Sequence, residues 1–187
     1  MMRKFINMNF LKNNTINNYT LEHFTIIKDS FYTLINKIPP GEYVRLINKY
    51  DCIMSNTPME LQTNQDFINN VYGDVLIAGL GIGLIVLPIQ NYCNSITIIE
   101  KSNDIIDLIV PQLPLNDNVT IINEDIFKFI PKNKYDCIYF DIWNYVNSDV
   151  YKEMVKLKNK FKPFLKDKNG YIKCWAEYQA KNNLRLT

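Results

Sequence analysis

The fold of this chain is decided by one stretch, Gly73-Asp74-Val75-Leu76-Ile77-Ala78-Gly79-Leu80-Gly81-Ile82-Gly83. An apolar run typical of a buried strand comes first, and the glycines after it lead into a helical pattern that extends to about residue 91. Because glycine has no side chain, the backbone can turn sharply there and approach a ligand closely. The stretch therefore predicts the first strand, loop and helix of a parallel α/β sheet.

The spacing of the loop glycines disfavours NAD and ATP as ligands. A dinucleotide fingerprint would need a small residue at the position of Leu84, and a P-loop would need a lysine followed by Ser or Thr. A tight strand-to-helix turn that binds no ligand is the alternative interpretation.

Downstream of the loop, apolar runs alternate with helical patterns. This alternation predicts buried parallel strands in an open α/β sheet with helices on both faces. Pro88 lies inside the helix after the glycine loop, so that helix is expected to be short or kinked. Strands are predicted at residues 75–78, 95–99, 119–122, 135–140 and 171–175, and helices at residues 103–110, 126–130 and 149–161.

The residues before Gly73 are predicted to extend this core. The Asn-rich residues 1–20 show no period and are expected to form a flexible arm. Apolar residues three and four apart predict a helix over residues 21–38, and a hairpin over 42–56 and a helix over 58–72 follow. The predicted division is an arm at 1–20, an N-terminal extension at 21–72 and a nucleoside-binding core at 73–187.

Acidic residues follow the second and third core strands. Glu100 lies about twenty residues after Gly79, where a carboxylate can accept hydrogen bonds from both hydroxyls of a ribose. Asp125 ends the third strand and can accept a hydrogen bond from an adenine amino group. An adenine would lie beside Ile126 and the Lys101 side chain. Each acid could equally be a solvated charge at a strand end.

The fourth strand brings a candidate catalytic group to the same edge, Asp141-Ile142-Trp143-Asn144-Tyr145. A carboxylate at Asp141 can orient or deprotonate an amine, and Asn144 and Tyr145 would meet the second substrate beside it. In the alternative interpretation, Asp141 caps the next segment and Trp143 packs on the sheet.

Composition limits the classes of function. With 47% hydrophobic and 21% charged residues, the chain has the composition of a folded soluble protein, and a net charge of +2 is too small for a general nucleic-acid binder. The four cysteines form no C-x-x-C pair and are expected to be reduced core residues, while His23 has no partner at ligand spacing, so no metal site is predicted. Because residues 1–11 lack a long apolar stretch and a small-residue cleavage site, we expect no leader and a cytoplasmic protein without nucleic-acid or membrane partners.

Four motifs, taken in order, resemble those of class I S-adenosylmethionine-dependent methyltransferases, and most of all the spermidine-synthase-like branch. They are the stretch from Gly73 to Gly83, Ile98-Ile99-Glu100-Lys101-Ser102, Asn123-Glu124-Asp125-Ile126-Phe127 and Tyr135-Asp136-Cys137-Ile138-Tyr139-Phe140-Asp141. The resemblance implies a Rossmann-like fold that binds S-adenosylmethionine without a metal. It places Gly79, Gly81 and Gly83 under the methionyl part, Glu100 at the ribose and Asp125 at the adenine.

The chain also departs from this resemblance. Polyamine synthases usually have an acid where Ile82 stands and a second acid where Asn144 stands, while Asp141 matches their amine-activating base. About a dozen residues follow the last predicted strand, so we expect an abbreviated sheet whose open edge favours self-association.

Three functions remain open at this stage. The first is a methyltransferase with a small-molecule acceptor. The second is an aminopropyltransferase that uses decarboxylated S-adenosylmethionine, with the hairpin of residues 42–56 over the acceptor. The third is a non-catalytic module that binds a nucleoside or a protein partner.

Overall fold

Nine strands form two separate sheets in the computed structural model, which describes residues 3–4, 6–35, 38–49 and 51–184. The first sheet is antiparallel and contains β1 (Asn14–Ile16), β2 (Tyr19–Ile26), β3 (Gly41–Asn48) and β4 (Asp51–Ser55), in that order. The second sheet contains β5 (Gly73–Ala78), β6 (Cys93–Glu100), β7 (Val119–Asn123), β8 (Cys137–Phe140) and β9 (Tyr171–Cys174). Helices connect and flank them, namely α1 (Phe31–Ile35), α2 (Pro58–Asn70), α3 (Val86–Ile89), α4 (Asn103–Ile109), α5 (Ser148–Phe161) and α6 (Glu177–Asn182).

The second sheet has the predicted Rossmann-like architecture of an open parallel sheet. Its strands run in the order β7-β6-β5-β8-β9, and every neighbouring pair is parallel. The chain enters this sheet at its central strand, β5. It continues through β6 to the edge strand β7, and then forms β8 and β9 on the other side of β5. The order reverses between β5 and β8, and open α/β sheets bind ligands at the carboxyl ends of the strands beside such a point.

Helices cover both faces of this sheet, as the alternation of apolar runs predicted. Consecutive residues of a strand point to opposite faces. Tyr139 stacks on Phe67 of α2, with ring centroids 4.1 Å apart, whereas Phe140 makes an edge contact with Phe161 of α5 at 5.2 Å. The two helices therefore lie on opposite faces, and β8 between them is buried along its whole length.

The predicted helix over residues 21–38 is wrong for most of its length. Residues 19–26 form β2, which pairs antiparallel with β3 from Tyr19 opposite Asn48 to Ile26 opposite Gly41. Only Phe31–Ile35 is helical, and residues 36 and 37 lie outside the described residues. The apolar residues fit a period of three to four, but the alternating burial along β2 shows that pairing with β3 decides the structure.

The N-terminal residues are packed rather than loose, because Met8 and Leu11 are 1% exposed and belong to the core. Asn14–Ile16 forms β1, and the Arg3 guanidinium donates hydrogen bonds to the carbonyl oxygens of Ile68 and Val71 at 2.6 and 2.8 Å. The expectation of a flexible arm was therefore wrong for these residues, while residues 1, 2 and 5 lie outside the described part of the chain.

Of the remaining predictions about secondary structure and cysteines, some are confirmed and others are not. The hairpin of residues 42–56 forms as β3 and β4, and the helix containing Pro88 is short. The predicted helix over residues 126–130 is a single turn, in which the Asp125 carbonyl oxygen accepts from the amides of Lys128 and Phe129. Cys52 is exposed, in contrast to the buried Cys93, Cys137 and Cys174, and all four thiols are free.

The parallel sheet has five strands among the described residues. Within the described residues, β9 is the last strand of the parallel sheet, and no strand of the N-terminal sheet pairs with it. The described helices include none with the length and apolar character needed to cross a bilayer.

Candidate functional site

A cavity of about 640 Å³ opens at the carboxyl ends of β5, β6, β7 and β8, beside the point where the strand order reverses. Its volume lies within the range of about 300–1,000 Å³ that is typical of small-molecule sites. Eight residues singled out from the sequence line it, and they are Gly79, Gly81, Glu100, Lys101, Asp125, Ile126, Asp141 and Asn144. The fold thus brings together groups that are up to 65 positions apart in the chain, as the Gly79 to Asn144 separation shows.

Two of the candidate residues do not line this cavity. Gly83 has a φ of +82°, and a Cβ there would lie 2.7 Å from Leu113 Cδ1, so its role in the structure is close packing against that side chain. Tyr145 is 61% exposed and lies outside the lining.

The glycine loop passes very close to the segment that follows β8. Gly79 adopts a φ of +96°, and a Cβ at this position would overlap the backbone carbonyl oxygen of Asp141. Gly81 has a φ of +52°, and a Cβ there would overlap the Met54 sulfur from the N-terminal sheet. The absence of both side chains therefore lets three segments meet around one cavity.

Glu100 is 7% exposed and is held by two backbone amides. Its Oε2 accepts a hydrogen bond from the Leu80 N–H at 2.9 Å, and its Oε1 accepts one from the Ser102 N–H at 2.8 Å. These bonds fix the carboxylate between the glycine loop and the end of β6. A carboxylate has about four acceptor positions, so each oxygen keeps one for a ligand hydroxyl.

Asp125 is oriented by its own turn and by Lys101. The Phe127 N–H donates to Asp125 Oδ1 at 3.0 Å, and Lys101 Nζ lies 3.3 Å from Oδ2. The hydrogen bond from Phe127, together with Lys101, lowers the pKa of Asp125 and keeps it ionised at neutral pH. Ile126 is 4% exposed and supplies an apolar surface beside this carboxylate.

Asp141 carries an unsatisfied buried oxygen, since its Oδ2 has no hydrogen-bond partner among the described residues. Its backbone N–H donates to the Ala78 carbonyl oxygen at 2.8 Å, which places the residue beside the glycine loop. Burial raises the pKa of Asp141 to about 7. A carboxyl with such a pKa can both hold and release a proton near neutral pH.

The structure also separates two interpretations of the segment after β8. Helix α5 is capped by Asn147, whose Oδ1 accepts from the amides of Asp149 and Val150 at 3.0 and 2.8 Å. Asp141 therefore does not cap that helix. Trp143 is buried and donates its indole N–H to Glu153 Oε2 at 3.0 Å, in accord with a packing role.

The N-terminal sheet supplies a wall of the cavity, of which the sequence predicted the hairpin of residues 42–56 but not Asn18 and Tyr19. The turns and strands of β1 to β4 contribute Asn18, Tyr19, Asn48, Asp51, Ile53 and Met54. A signal was present in Asn17-Asn18, a turn-forming pair between two strand-like runs, and Asn17 adopts a φ of +52°. Its side-chain amide donates to Asp104 Oδ1 at 2.9 Å, which links this turn to α4.

The lining is rich in acids. Among the described residues it contains six carboxyl side chains but only one lysine, Lys101, which pairs with Asp125. The six are Asp51, Glu100, Asp104, Glu124, Asp125 and Asp141. Such a lining favours a ligand that carries positive charge. The described residues contain no group of three His, Cys, Asp or Glu side chains placed to hold a metal ion.

No protein-family model matches the chain, and no curated protein matches it either. Solved structures do match. The "DhpI-SAM-HEP complex" is 21% identical with a TM-score of 0.48, over 63% of this chain and 51% of that one. The N-methyltransferase NodS from Bradyrhizobium japonicum WM9 is 15% identical with a TM-score of 0.49, over 63% and 67%. The glycopeptide N-methyltransferase MtfA is 15% identical with a TM-score of 0.45, over 62% and 51%.

The matched region spans about half the length of the DhpI and MtfA chains.

Proposed function

We propose that this chain binds S-adenosylmethionine and transfers its methyl group to a small-molecule acceptor. One observation carries the proposal, namely that a single cavity joins the glycine loop, Glu100, Asp125 and Asp141 at the carboxyl ends of adjacent parallel strands. The acid-rich lining suits the positively charged sulfonium of this donor.

Different residues of the cavity bind different parts of the donor. Glu100, already fixed by two amides, accepts hydrogen bonds from the ribose hydroxyls, and Asp125 accepts one from the adenine amino group. Ile126 and the Lys101 side chain lie on either side of the adenine. Gly79 and Gly81 line the cavity beside Asp141, at the end where the methionyl part would lie.

The protein's contribution to the reaction is alignment. When bound, the sulfonium donor supplies a methyl group that is already reactive, so the chain needs to hold donor and acceptor in line and exclude water. Asp141 lines the cavity, where its carboxyl group orients the acceptor or takes its proton.

A second candidate, aminopropyl transfer from decarboxylated S-adenosylmethionine, is favoured by one feature. The only cation among the described lining residues is Lys101, and it lies at the proposed adenine end, paired with Asp125. No side-chain cation of the described lining is therefore left to bind the methionyl carboxylate, and the decarboxylated donor has no such carboxylate. The hairpin of β3 and β4 also lines the cavity, where it could cover an amine acceptor.

Calorimetric titration tests the donor and separates the two candidates. We expect binding of S-adenosylmethionine and S-adenosylhomocysteine, and a preference for the decarboxylated donor would promote aminopropyl transfer. Loss of a hydrogen bond to a charged group costs about 1.5–3 kcal/mol, so Glu100→Gln should weaken binding by about tenfold or more.

The matched control is Asp107→Asn, which removes an exposed acid of α4 that does not line the cavity. Its affinity should equal that of the wild type. Failure of all three nucleosides to bind the folded wild-type protein would refute the proposed function. Unchanged affinity in a folded Glu100→Gln variant would refute only the ribose assignment.

A further inference from the structure

Helix α2 carries a buried acid that belongs to none of the motifs in the parallel sheet. Glu60 lies in the first turn of α2 and is 7% exposed. It shares the buried face of the helix with Asn64, Phe67 and Ile68. An acid in the first turn of a helix is normally a surface residue that complements the helix dipole, so its burial calls for another explanation.

The packing of α2 against β8 brings Glu60 close to Asp141. The Tyr139 hydroxyl donates to Asn64 Oδ1 at 2.7 Å, and the Tyr139 ring stacks on Phe67. Glu60 is one helical turn before Asn64, and Asp141 is two residues after Tyr139, on the same side of the chain. The same interface that pairs Asn64 with Tyr139 therefore directs Glu60 toward Asp141.

The electrostatics agree with this placement. Burial, together with the smaller effect of the negative charge of Asp141, raises the pKa of Glu60 to about 8. Burial alone raises the pKa of Asp141 to about 7. Neither carboxyl forms a salt bridge with a described residue.

The other titratable groups around the pair are neutral near pH 7 or lie farther along the elements. Burial raises the pKa of the Tyr139 hydroxyl on β8 well above its usual value, and burial followed by the charge of Glu60 raises that of the Cys52 thiol on β4. Asp66 lies on α2 and pairs with Lys173 of β9. Cys174 ends β9, and burial raises the pKa of its thiol.

We propose that Glu60 is a positioning residue of the acceptor end, and that with Asp141 it forms a two-carboxyl site selective for an acceptor that carries an amine. The inference deepens the proposed function and depends on it. Asp141 lines the cavity and has one buried carboxyl oxygen without a hydrogen-bond partner among the described residues, whereas Glu60 lies outside the lining. No described cation pairs with these two carboxyls. An ammonium group on the acceptor would supply the missing positive charge, whereas a hydroxyl group would not.

The proton and electron changes balance in this site. The amine enters as an ammonium ion and gives one proton to the ionised Asp141, which leaves a lone pair on the nitrogen. That lone pair forms the new nitrogen–carbon bond, and the carbon–sulfur bond breaks with its electron pair remaining on sulfur. Glu60 keeps its own proton throughout, so that Asp141 alone carries the charge that meets the substrate.

Carboxyl titration of the free protein by carbon-detected NMR tests the pair directly. In the wild type we expect both carboxyls to titrate well above pH 6. In Asp141→Asn the Glu60 titration should shift to lower pH, because the neighbouring negative charge is gone. Asp66→Asn is the matched control, since it removes an acid from the same helix and should leave both titrations in place.

A second measurement tests selectivity, with S-adenosylhomocysteine bound and n-butylamine, n-butanol and n-butyrate as probes. We expect the amine to bind about tenfold more tightly than the alcohol, because hydrogen bonds between charged groups are stronger than those to neutral groups. Butyrate should not bind, because its carboxylate is repelled by the acids of the site. Glu60→Gln should reduce this preference and change its pH profile, while the affinity for S-adenosylhomocysteine stays the same.

The outcomes distinguish the two proposals. Ordinary titration of both carboxyls near pH 4, or a Glu60 titration unaffected by Asp141→Asn, overturns the pair. Equal binding of amine and alcohol overturns the selectivity. If S-adenosylhomocysteine does not bind, the proposed function fails, whereas the titration of the free protein still decides whether the two carboxyls are coupled.

Discussion

The buried carboxyls of Asp141 and Glu60 affect stability as well as chemistry. Both have a pKa in the folded protein, about 7 and about 8, that exceeds the value of roughly 4 expected in the unfolded chain. Between these values the folded state binds more protons than the unfolded state, so the free energy of unfolding falls as pH rises from about 4 to 8. Below pH 4 both states are protonated and the penalty is absent.

The pH dependence of unfolding in urea measures this effect. We expect Asp141→Asn to gain stability relative to the wild type between pH 5 and pH 8. The gain should be of the order of a few kcal/mol, since each pKa unit corresponds to about 1.4 kcal/mol. Asp66→Asn should follow the wild-type curve. If the free energies of unfolding of the wild type and Asp141→Asn differ by the same amount at every pH, the raised pKa of Asp141 is contradicted.

Individual site residues differed in how far they could be predicted. Glu100, Asp125 and Asp141 could be found because each lies at or just beyond the end of an apolar run, and the carboxyl ends of parallel strands meet at one edge. Glu60 could not be found in this way. Its position in the first turn of a helix is typical of a surface acid, and only the packing of α2 on Tyr139 buries it.

At the scale of elements, the glycine loop owes its shape to two different neighbours. A side chain at Gly79 meets backbone, the Asp141 carbonyl, whereas one at Gly81 meets the flexible Met54 side chain. Both positions have positive φ, which alone costs a larger residue about 1–3 kcal/mol.

Alanine substitution should therefore separate the two positions. We expect Gly79→Ala to destabilise the protein more than Gly81→Ala, because a backbone carbonyl cannot rotate aside. Adding Met54→Ala should recover part of the loss in Gly81→Ala and none in Gly79→Ala, as measured by urea unfolding. Equal losses that respond equally to Met54→Ala would refute this account of the loop.

The strands of the parallel sheet were predictable for the same reason that makes them stable. β5 and β8 are buried on both faces over Val75–Ala78 and Cys137–Phe140, so they appear as continuous apolar runs. β2 is half-exposed, and its apolar residues also fit a helical period. Pairing with β3, about twenty residues away in the chain, resolves this ambiguity, and a local pattern does not contain that information.

At the scale of the whole molecule, the cavity belongs to both sheets. The parallel sheet supplies the residues assigned to the donor, and the N-terminal sheet supplies Tyr19, Asn48 and Met54 on the other wall. The two are linked by the hydrogen bond from Asn17 to Asp104 and by Met8 and Leu11 in the common core. These contacts join distant parts of the chain, which is why the N-terminal residues could be mistaken for a loose arm.

Hydrogen exchange with and without S-adenosylhomocysteine tests this shared architecture. We expect the ligand to slow amide exchange at the ends of β5 and β6 and also in the β1–β2 and β3–β4 turns, because opening either wall would release it. The far ends of β5 and β6 should change less and serve as an internal reference. Protection confined to the parallel sheet would show that the N-terminal sheet does not contact the ligand.

The contact between Met54 and Gly81 has a consequence for kinetics. Met54 and Gly81 both line the cavity, so a molecule seated against the glycine loop would also contact this thioether. Shortening the Met54 side chain would remove that contact without changing any group assigned to recognition. Residence time would then become adjustable from the N-terminal sheet, independently of the residues that identify the ligand.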